Sequence, residues 1–245
     1  MKTRLDIYLV EKGLVETRNK AQALIMAGQV LIDGQLIDKP GTKVSNLSAA
    51  RIVEPYPYVS RGATKLEKAY QEFNLSLVDK IICDVGSSTG GFTDLVLQKG
   101  AKRVYAIDVG RGQLDQKLRR DERVIVMEKT DFRTVEQLPD QIDLFVCDVS
   151  FISLTKILPR IKSLTADYKK HKCEIVALIK PQFEAGAKEV SQGKGVIKSE
   201  QKRLEIVDSI KEFVQKLGFE ILGITESPIT GAKGNVEFLI YVVVP

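Results

Sequence analysis

The chain has 245 residues, 44% of them hydrophobic and 28% charged, with 37 Lys and Arg against 32 Asp and Glu. This composition excludes a disordered or fibrous polypeptide and allows one sizeable core with a small satellite domain. A net charge of +5 permits a polyanionic partner without demanding one, since an ordinary basic protein carries the same number.

The first segment, MKTRLDIYLVEKG, lacks the apolar centre of a signal peptide, and no run of about 18 apolar residues occurs further along. A soluble chain in a reducing, cytoplasmic setting is expected. In TRLDIYLVEKG, Leu5, Tyr8 and Leu9 recur at helical spacing up to Gly13; in ETRNKAQALIMAG, Ala21, Leu24 and Ile25 do so up to Gly28. QVLIDGQLIDKPGTKV then reads as two extended runs around Asp33-Gly34, the dipeptide of a tight hairpin, with Lys39-Pro40-Gly41 as a second turn. Arg18 and Lys20 fall in the first turn of the second helix, where the macrodipole disfavours cations. A negative partner outside the helix would relieve that, although a solvated charged face explains the same pattern.

The R-L-D, T-R-x-x-A, L-I-x-x-G-x-V and K-P-G positions of this segment, at their fixed spacings, resemble the S4 domain, an RNA-binding module. The resemblance implies an RNA-contacting surface that includes Arg4, Arg18, Lys20, Lys39 and Lys43. From Ser45 to Tyr58, SNLSAARIVEPYPY carries two prolines and a Ser/Asn cluster and reads as a linker. The expected organisation is a small α+β domain with linker over 1–58 and a second domain over 59–245.

Beyond the linker, short Val/Ile-rich runs alternate with amphipathic segments: IICDVG, RVYAIDVG, RVIVMEKTDF, DLFVCDVS, EIVALIKP, FEILGITES and EFLIYVVV. Such runs, apolar on both faces, suit a mostly parallel sheet covered by helices, an α/β doubly wound domain. Cys83, Cys147 and Cys173 show no C-x-x-C spacing, and the first two lie inside apolar runs; neither a disulfide framework nor a metal site is expected.

The first run ends in Asp84 and opens into Gly86-Ser87-Ser88-Thr89-Gly90-Gly91 before the helical FTDLVLQKG. Glycines let backbone approach a ligand, and a helix start offers free N–H groups. The spacing is neither G-x-G-x-x-G nor G-x-x-x-x-G-K-[ST], which argues against a dinucleotide and against a nucleoside triphosphate. The second run ends in Asp108, where a carboxylate would accept from ribose hydroxyls. The third is expected to end in Asp131-Phe132, an acid and an aromatic suited to an exocyclic amine and a stacked purine. Loop, Asp108 and Asp131 on successive strand ends resemble the S-adenosylmethionine site of class I methyltransferases. The resemblance assigns Asp84, Gly86, Ser87, Ser88, Gly90, Gly91, Asp108, Asp131 and Phe132 to the cofactor.

Lys65, Asp148, Lys180 and Glu237 lie at the starts or ends of expected elements, and ligands in open sheets sit at strand carboxyl ends. Singly, each has a bland explanation as a solvated lysine or a loop-capping acid. As a set they resemble the Lys-Asp-Lys-Glu tetrad of FtsJ-like ribose 2′-O-methyltransferases, in which a lysine deprotonates or orients the hydroxyl; the central role falls to Lys180. A lysine between carboxylates holds its proton unless burial opposes them, so both roles stay open. YVSRGATKL, DVGSSTGGFTD, DVSFISL, LIKPQFEAG and SPITGAKGNVEFLIY, in that order behind an S4-like module, resemble the TlyA family, whose members carry hemolysin names and act as rRNA cytidine 2′-O-methyltransferases. The resemblance implies ribosomal RNA or ribosomal subunits as partner; nothing in the pattern demands more than a monomer, and the lack of a spanning or strongly amphipathic segment argues against stable membrane attachment. IKSEQKRLEIVDSIKEF departs from the acidic, proline-containing stretch expected there, which affects RNA docking on that side. Two rivals remain, a membrane-active hemolysin and an RNA-binding protein with a non-catalytic second domain.

Overall fold

The computed structural model describes residues 2–53, 56–168, 171–186, 191 and 193–245. The chain divides into two compact units, Met1–Pro57 and Tyr58–Pro245.

In the first unit the strand β1 (Lys2–Arg4) is followed by helices α1 (Leu5–Glu11) and α2 (Arg18–Met26) and strands β2 (Val30–Ile32), β3 (Gln35–Leu36), β4 (Lys43–Ser45) and β5 (Ala50–Ile52). Thr17 starts α2 by accepting the Lys20 amide on its hydroxyl, which satisfies one of the amides that the helix leaves open. The hairpin turn has Asp33 at φ 51° and Gly34 at φ 81°, both left-handed, as the Asp-Gly pair requires. The apolar faces of both helices, with Leu5, Leu9, Ala21 and Ile25 fully buried, close over Val30. The segment 45–58 is only partly a linker. Ala50–Ile52 pairs antiparallel with β2, and β4 with β1, because the alternating Ala50 and Ile52 have an apolar partner face that the Ser/Asn count concealed. Glu54 and Pro55 of that segment lie outside the described residues.

The second unit contains α3 (Ala63–Glu72), β6 (Ile81–Val85), α4 (Gly91–Gln98), β7 (Arg103–Asp108), α5 (Gln116–Arg119), β8 (Val124–Glu128), β9 (Leu144–Cys147), α6 (Leu158–Leu164), β10 (Cys173–Ile179), α7 (Pro181–Glu184), α8 (Glu200–Lys216), β11 (Glu220–Glu226) and β12 (Phe238–Val244). The strands form one sheet in the order β11-β12-β10-β9-β6-β7-β8. From β10 to β8 every pair is parallel, whereas β12 runs antiparallel to both its neighbours. The fold is thus α/β and doubly wound, with a mixed sheet.

Alternation along each strand sends side chains to two cores. Cys83, Tyr105, Phe145 and Ile175 meet α6 and α8 on one face; Ile82, Val104, Leu144 and Val176 meet α3 and α4 on the other. Burying each large apolar side chain contributes roughly 1.5–3 kcal/mol. The chain leaves β6 toward β7 on one side and later returns to β9 on the other, so strand order reverses between β6 and β9. In an open sheet the ligand crevice lies outside the strand carboxyl ends at that point. Gly86 makes the close approach possible, for a Cβ on it would lie 2.9 Å from the Asp148 carbonyl oxygen, and its φ of +84° suits glycine.

Candidate active site

Two adjoining cavities open at the carboxyl ends of β6 and β9. One of about 390 Å³ is bordered by Lys65, Asp84, Asp148, Lys180, Gln182 and Glu237; the other, of about 560 Å³, by Asp108, Val109, Asp131, Phe132, Ile152 and Ile157. Gly86, Ser88, Asp148, Ser150 and Phe151 border both, so the lobes form one cleft of the size that holds a cofactor and a reacting group.

The four residues of the expected tetrad meet in the smaller lobe. Lys65 enters from the first turn of α3, Asp148 and Lys180 directly follow β9 and β10, and Glu237 directly precedes β12. Lys65 Nζ donates to Glu237 Oε2 at 2.8 Å and to Asp148 Oδ2 at 3.4 Å. Lys180 Nζ donates to Ser150 Oγ at 2.9 Å and lies 2.6 Å from Asp148 Oδ1, an ion pair off the hydrogen-bond angle. Lys65, Lys180 and Glu237 are 8%, 6% and 2% exposed, so their charges require these partners. Burial pulls the Lys65 ammonium down, but Asp148 and Glu237 outweigh it and hold the group above its ordinary value. Lys65 therefore stays a fixed cation that pins two carboxylates.

Three polar neighbours were not among the expected site residues. Ser150 holds Lys180, Gln182 donates its Nε2 to Glu237 Oε1 at 2.9 Å, and Glu184 accepts from the Leu154 amide and the Ser153 hydroxyl, tying α7 to the segment after β9. Burial raises the Glu184 carboxyl above its usual value against those two donors. Phe151 was also missed. Its ring is 90% exposed at the cleft mouth, its φ is 63°, and its centroid lies 5.0 Å from that of Phe183. Small size or chemical plainness hid all four; Gln182 and Glu184 lie within the quoted LIKPQFEAG, two and four positions past Lys180.

The expected cofactor residues divide. Asp84 is buried, its Oδ2 accepts from the Thr93 amide at 3.0 Å and hydroxyl at 2.7 Å, and its Oδ1 has no partner. Burial pushes this carboxyl up to about 7, with Thr93 opposing. A buried, unsatisfied carboxylate oxygen bordering the cavity fits a ligand ammonium group. Asp108 takes the Ser88 amide on Oδ2 at 2.8 Å and the Gly110 amide on Oδ1 at 2.6 Å, which fixes the carboxylate and leaves lone pairs for hydroxyl donors. Gly86, Ser87, Ser88 and Gly91 line the smaller lobe, while Gly90, at φ 96°, caps α4 with its side packed against Leu114 and Leu118.

The third strand stops at Glu128, three residues before Asp131, because Thr130 and Lys129 turn back onto Asp108 and Gly110. Asp131 starts a 3-10 turn and binds Arg133 through a double hydrogen bond. Phe132 borders the larger lobe, but its ring is 3% exposed and meets Phe145 edge-on at 6.0 Å, so little of its face is left for stacking. Val109, 71% exposed, with Ile152 and Ile157, supplies apolar surface there instead. Cys83, Cys147 and Cys173 are fully buried, with their thiols raised by burial, which removes them as nucleophiles.

In the first unit, Asp6 is fully buried and gathers Arg4 (Nε to Oδ1 3.0 Å, Nη2 to Oδ2 2.9 Å), Arg18 (Nε to Oδ2 2.9 Å) and Gln22 (Nε2 to Oδ2 2.8 Å). Lys20 sits 3.5 Å from Glu16. The negative partner sought outside α2 is thus supplied from within the chain. Lys20, Lys39 and Lys43 are exposed, as are the outer parts of Arg4 and Arg18.

A doubly wound sheet, a glycine loop at the switch point and two strand-end aspartates on a cleft define an S-adenosylmethionine-dependent methyltransferase. Residues 58–243 match the FtsJ-like methyltransferase family model and residues 3–46 that of the S4 domain. The 16S/23S rRNA (cytidine-2′-O)-methyltransferase TlyA of Mycobacterium tuberculosis is 41% identical over 98% of this chain and 89% of its own. Hemolysin A of Brachyspira hyodysenteriae is 43% identical over 98% of this chain and all of its own. The solved structure "Putative hemolysin from Streptococcus thermophilus" matches with a TM-score of 0.75 and 42% identity over 99% of this chain and 88% of that one. The chain belongs to the TlyA family, an S4 domain followed by an FtsJ-like methyltransferase domain. Among the described residues no helix is long and apolar enough to cross a membrane, and no group of three metal-ligating side chains occurs.

Proposed function

We propose that this protein transfers a methyl group from S-adenosylmethionine to the 2′-hydroxyl of a cytidine in ribosomal RNA. The observation that carries the reading is the gathering of Lys65, Asp148, Lys180 and Glu237 in a buried lobe that adjoins the nucleoside-sized one. The cofactor supplies an electrophilic methyl on a sulfonium. Asp84 Oδ1 would hold its amino group, Asp108 its ribose hydroxyls, and Val109, Ile152 and Ile157 its base.

Lys180, anchored by Asp148 and Ser150, reaches the acceptor oxygen to orient it or to take its proton, and Lys65 keeps both carboxylates in place. Transfer to oxygen mainly requires proximity and alignment, which a rigid ionic frame provides. Phe151 offers an exposed ring on which an unstacked acceptor base can lie. The first unit would dock the RNA through Lys20, Lys39, Lys43 and the outer faces of Arg4 and Arg18, in a cytoplasmic monomer.

Incubating the protein and radiolabelled S-adenosylmethionine with ribosomal subunits and naked rRNA, then mapping 2′-O-methylation, tests the reading. Label at one defined cytidine is the expected result. Cofactor binding without label on any RNA would overturn it.

A further inference from the structure

We infer that Gln113 is a further cofactor-binding residue, its side-chain amide donating to the ribose hydroxyls from which Asp108 accepts; the inference rests on the ribose placement proposed above. Gln113 borders the larger lobe and is exposed. Its amide stands over Gly110. A Cβ there would lie 2.0 Å from Gln113 Nε2 and 3.0 Å from Asp108 Oδ1, so the missing side chain lets the amide come up beside the carboxylate. Gly110 is not among the glycines with positive φ, so space rather than backbone freedom is what it supplies. The orientation of the amide follows from its neighbours. Ser88 Oγ donates to Gln113 Oε1 at 3.3 Å, and the opposite orientation would set that oxygen beside Asp108 Oδ1, acceptor against acceptor.

The loop that presents Gln113 is held from the next strand. Glu128, level with Asp108 in the β7–β8 register, accepts from the amides of Gly112 at 2.7 Å, Gln113 at 3.0 Å and Leu114 at 3.4 Å, and also binds Arg119. A fixed backbone and the Ser88 hydrogen bond lower the ordering cost of binding. A ribose diol needs both partners. Asp108 can only accept, so each hydroxyl gives it one proton and keeps lone pairs for a donor. The Ser88 and Gly110 amides leave the Asp108 oxygens room for those protons. Gln113 Nε2 supplies the donor, with neither of its N–H groups engaged among the described residues. A cation at this point would meet the N–H groups of Gln113, and an anion would meet the Asp108 carboxylate. A pair of hydroxyls satisfies both.

The probes are S-adenosylhomocysteine and its 2′-deoxy and 3′-deoxy ribose forms, titrated calorimetrically into the full-length protein. Wild-type protein is expected to bind the ribose form about 10-fold or more tightly than at least one deoxy form, the scale for a hydrogen bond to a charged group. In Gln113→Met the ribose form weakens by about 3- to 10-fold, the range of one net hydrogen bond, while that deoxy form stays within about twofold of wild type. The ratio falls accordingly, and the melting temperature is unchanged. If Met disturbs the loop, seen as a lowered melting temperature, Gln113→Ala is expected to give the same fall in the ratio. Asp108→Asn is expected to collapse the ratio. Where it does, equal weakening of both forms by the Gln113 variants, or no change in either, overturns the inference alone. A wild-type ratio of 1, or an Asp108→Asn variant that keeps the wild-type ratio, overturns the ribose placement and this inference with it.

Discussion

Two buried carboxylate clusters in this molecule use the same chemistry to opposite ends. Around Asp6, two guanidiniums, an amide side chain and the Ile7 backbone amide saturate a single carboxylate at 2.8–3.0 Å. Around Asp148 and Glu237, two lysines and Gln182 form a frame in which one ion pair is off-angle and one amide oxygen has no partner. Asp6 borders neither lobe of the cleft and its cations spread outward, whereas the tetrad borders 390 Å³ of open space. Saturation marks a cluster that holds the fold. Incomplete satisfaction beside a cavity marks one that waits for a ligand.

The comparison breaks if the two clusters respond alike to mutation. Lys180→Ala is expected to lower kcat by roughly 10²- to 10³-fold, the scale of a lost acid–base or electrostatic group, with cofactor affinity within about twofold of wild type. Calorimetry alongside single-turnover kinetics checks it, and a parallel loss of cofactor binding would move Lys180 to a structural role. Asp6→Asn should instead leave the chemistry of bound substrate intact and destabilise the first unit by about 1.5–3 kcal/mol, the scale for hydrogen bonds to a charged group. Faster amide exchange confined to residues 2–53 is the signature.

Arg4 holds the Asp6 carboxyl well below the usual carboxylate range, against burial. A folded-state pKa below the unfolded one gives stability that is present above about pH 4 and lost as pH falls through the folded value. Asp84 has the opposite sign. Its carboxyl, raised by burial to about 7, favours folding at low pH and gives that contribution up as pH rises toward 7. Because the ligand ammonium needs the ionised form, cofactor affinity should climb several-fold from pH 6 to pH 7.5. Asp84→Asn should bind weakly with no such slope, and an unchanged slope would remove Asp84 from the amino-group site.

The smallest effect sharpens the comparison at its edge. Lys20→Ala is expected to weaken RNA binding and reduce the salt slope by about 1, with unchanged stability, since Glu16 is an exposed partner worth little. Arg18→Ala should lower stability as well as affinity, because Asp6 loses one of its donors. An identical profile for the two would contradict the division of labour drawn here.

Much of the fold was legible because strands and helices announce themselves locally. All seven apolar runs became strands of one sheet, and both glycine-closed helices and the Asp-Gly hairpin formed. The reading went astray where a pattern was short or mixed. Ala50–Ile52 is three residues among serines and asparagine, and the strand expected to reach Asp131 ended at Glu128 when backbone pairing with Asp108 and Gly110 turned the chain. Phe132 looked like a stacking ring, but its ring was needed against Phe145.

The sequence by itself determined the order of elements, the two-part organisation and the chemical types at the strand ends, because hydrophobic period and turn residues act over a few positions. Only the tertiary structure decided which of those residues meet. Lys65 and Glu237 lie 172 positions apart and come within 2.8 Å because β12 inserts antiparallel beside β10, a pairing no local period encodes. The same long-range packing bound Arg18 to Asp6 and Gln182 to Glu237, since burial and hydrogen-bond saturation are properties of the assembled neighbourhood.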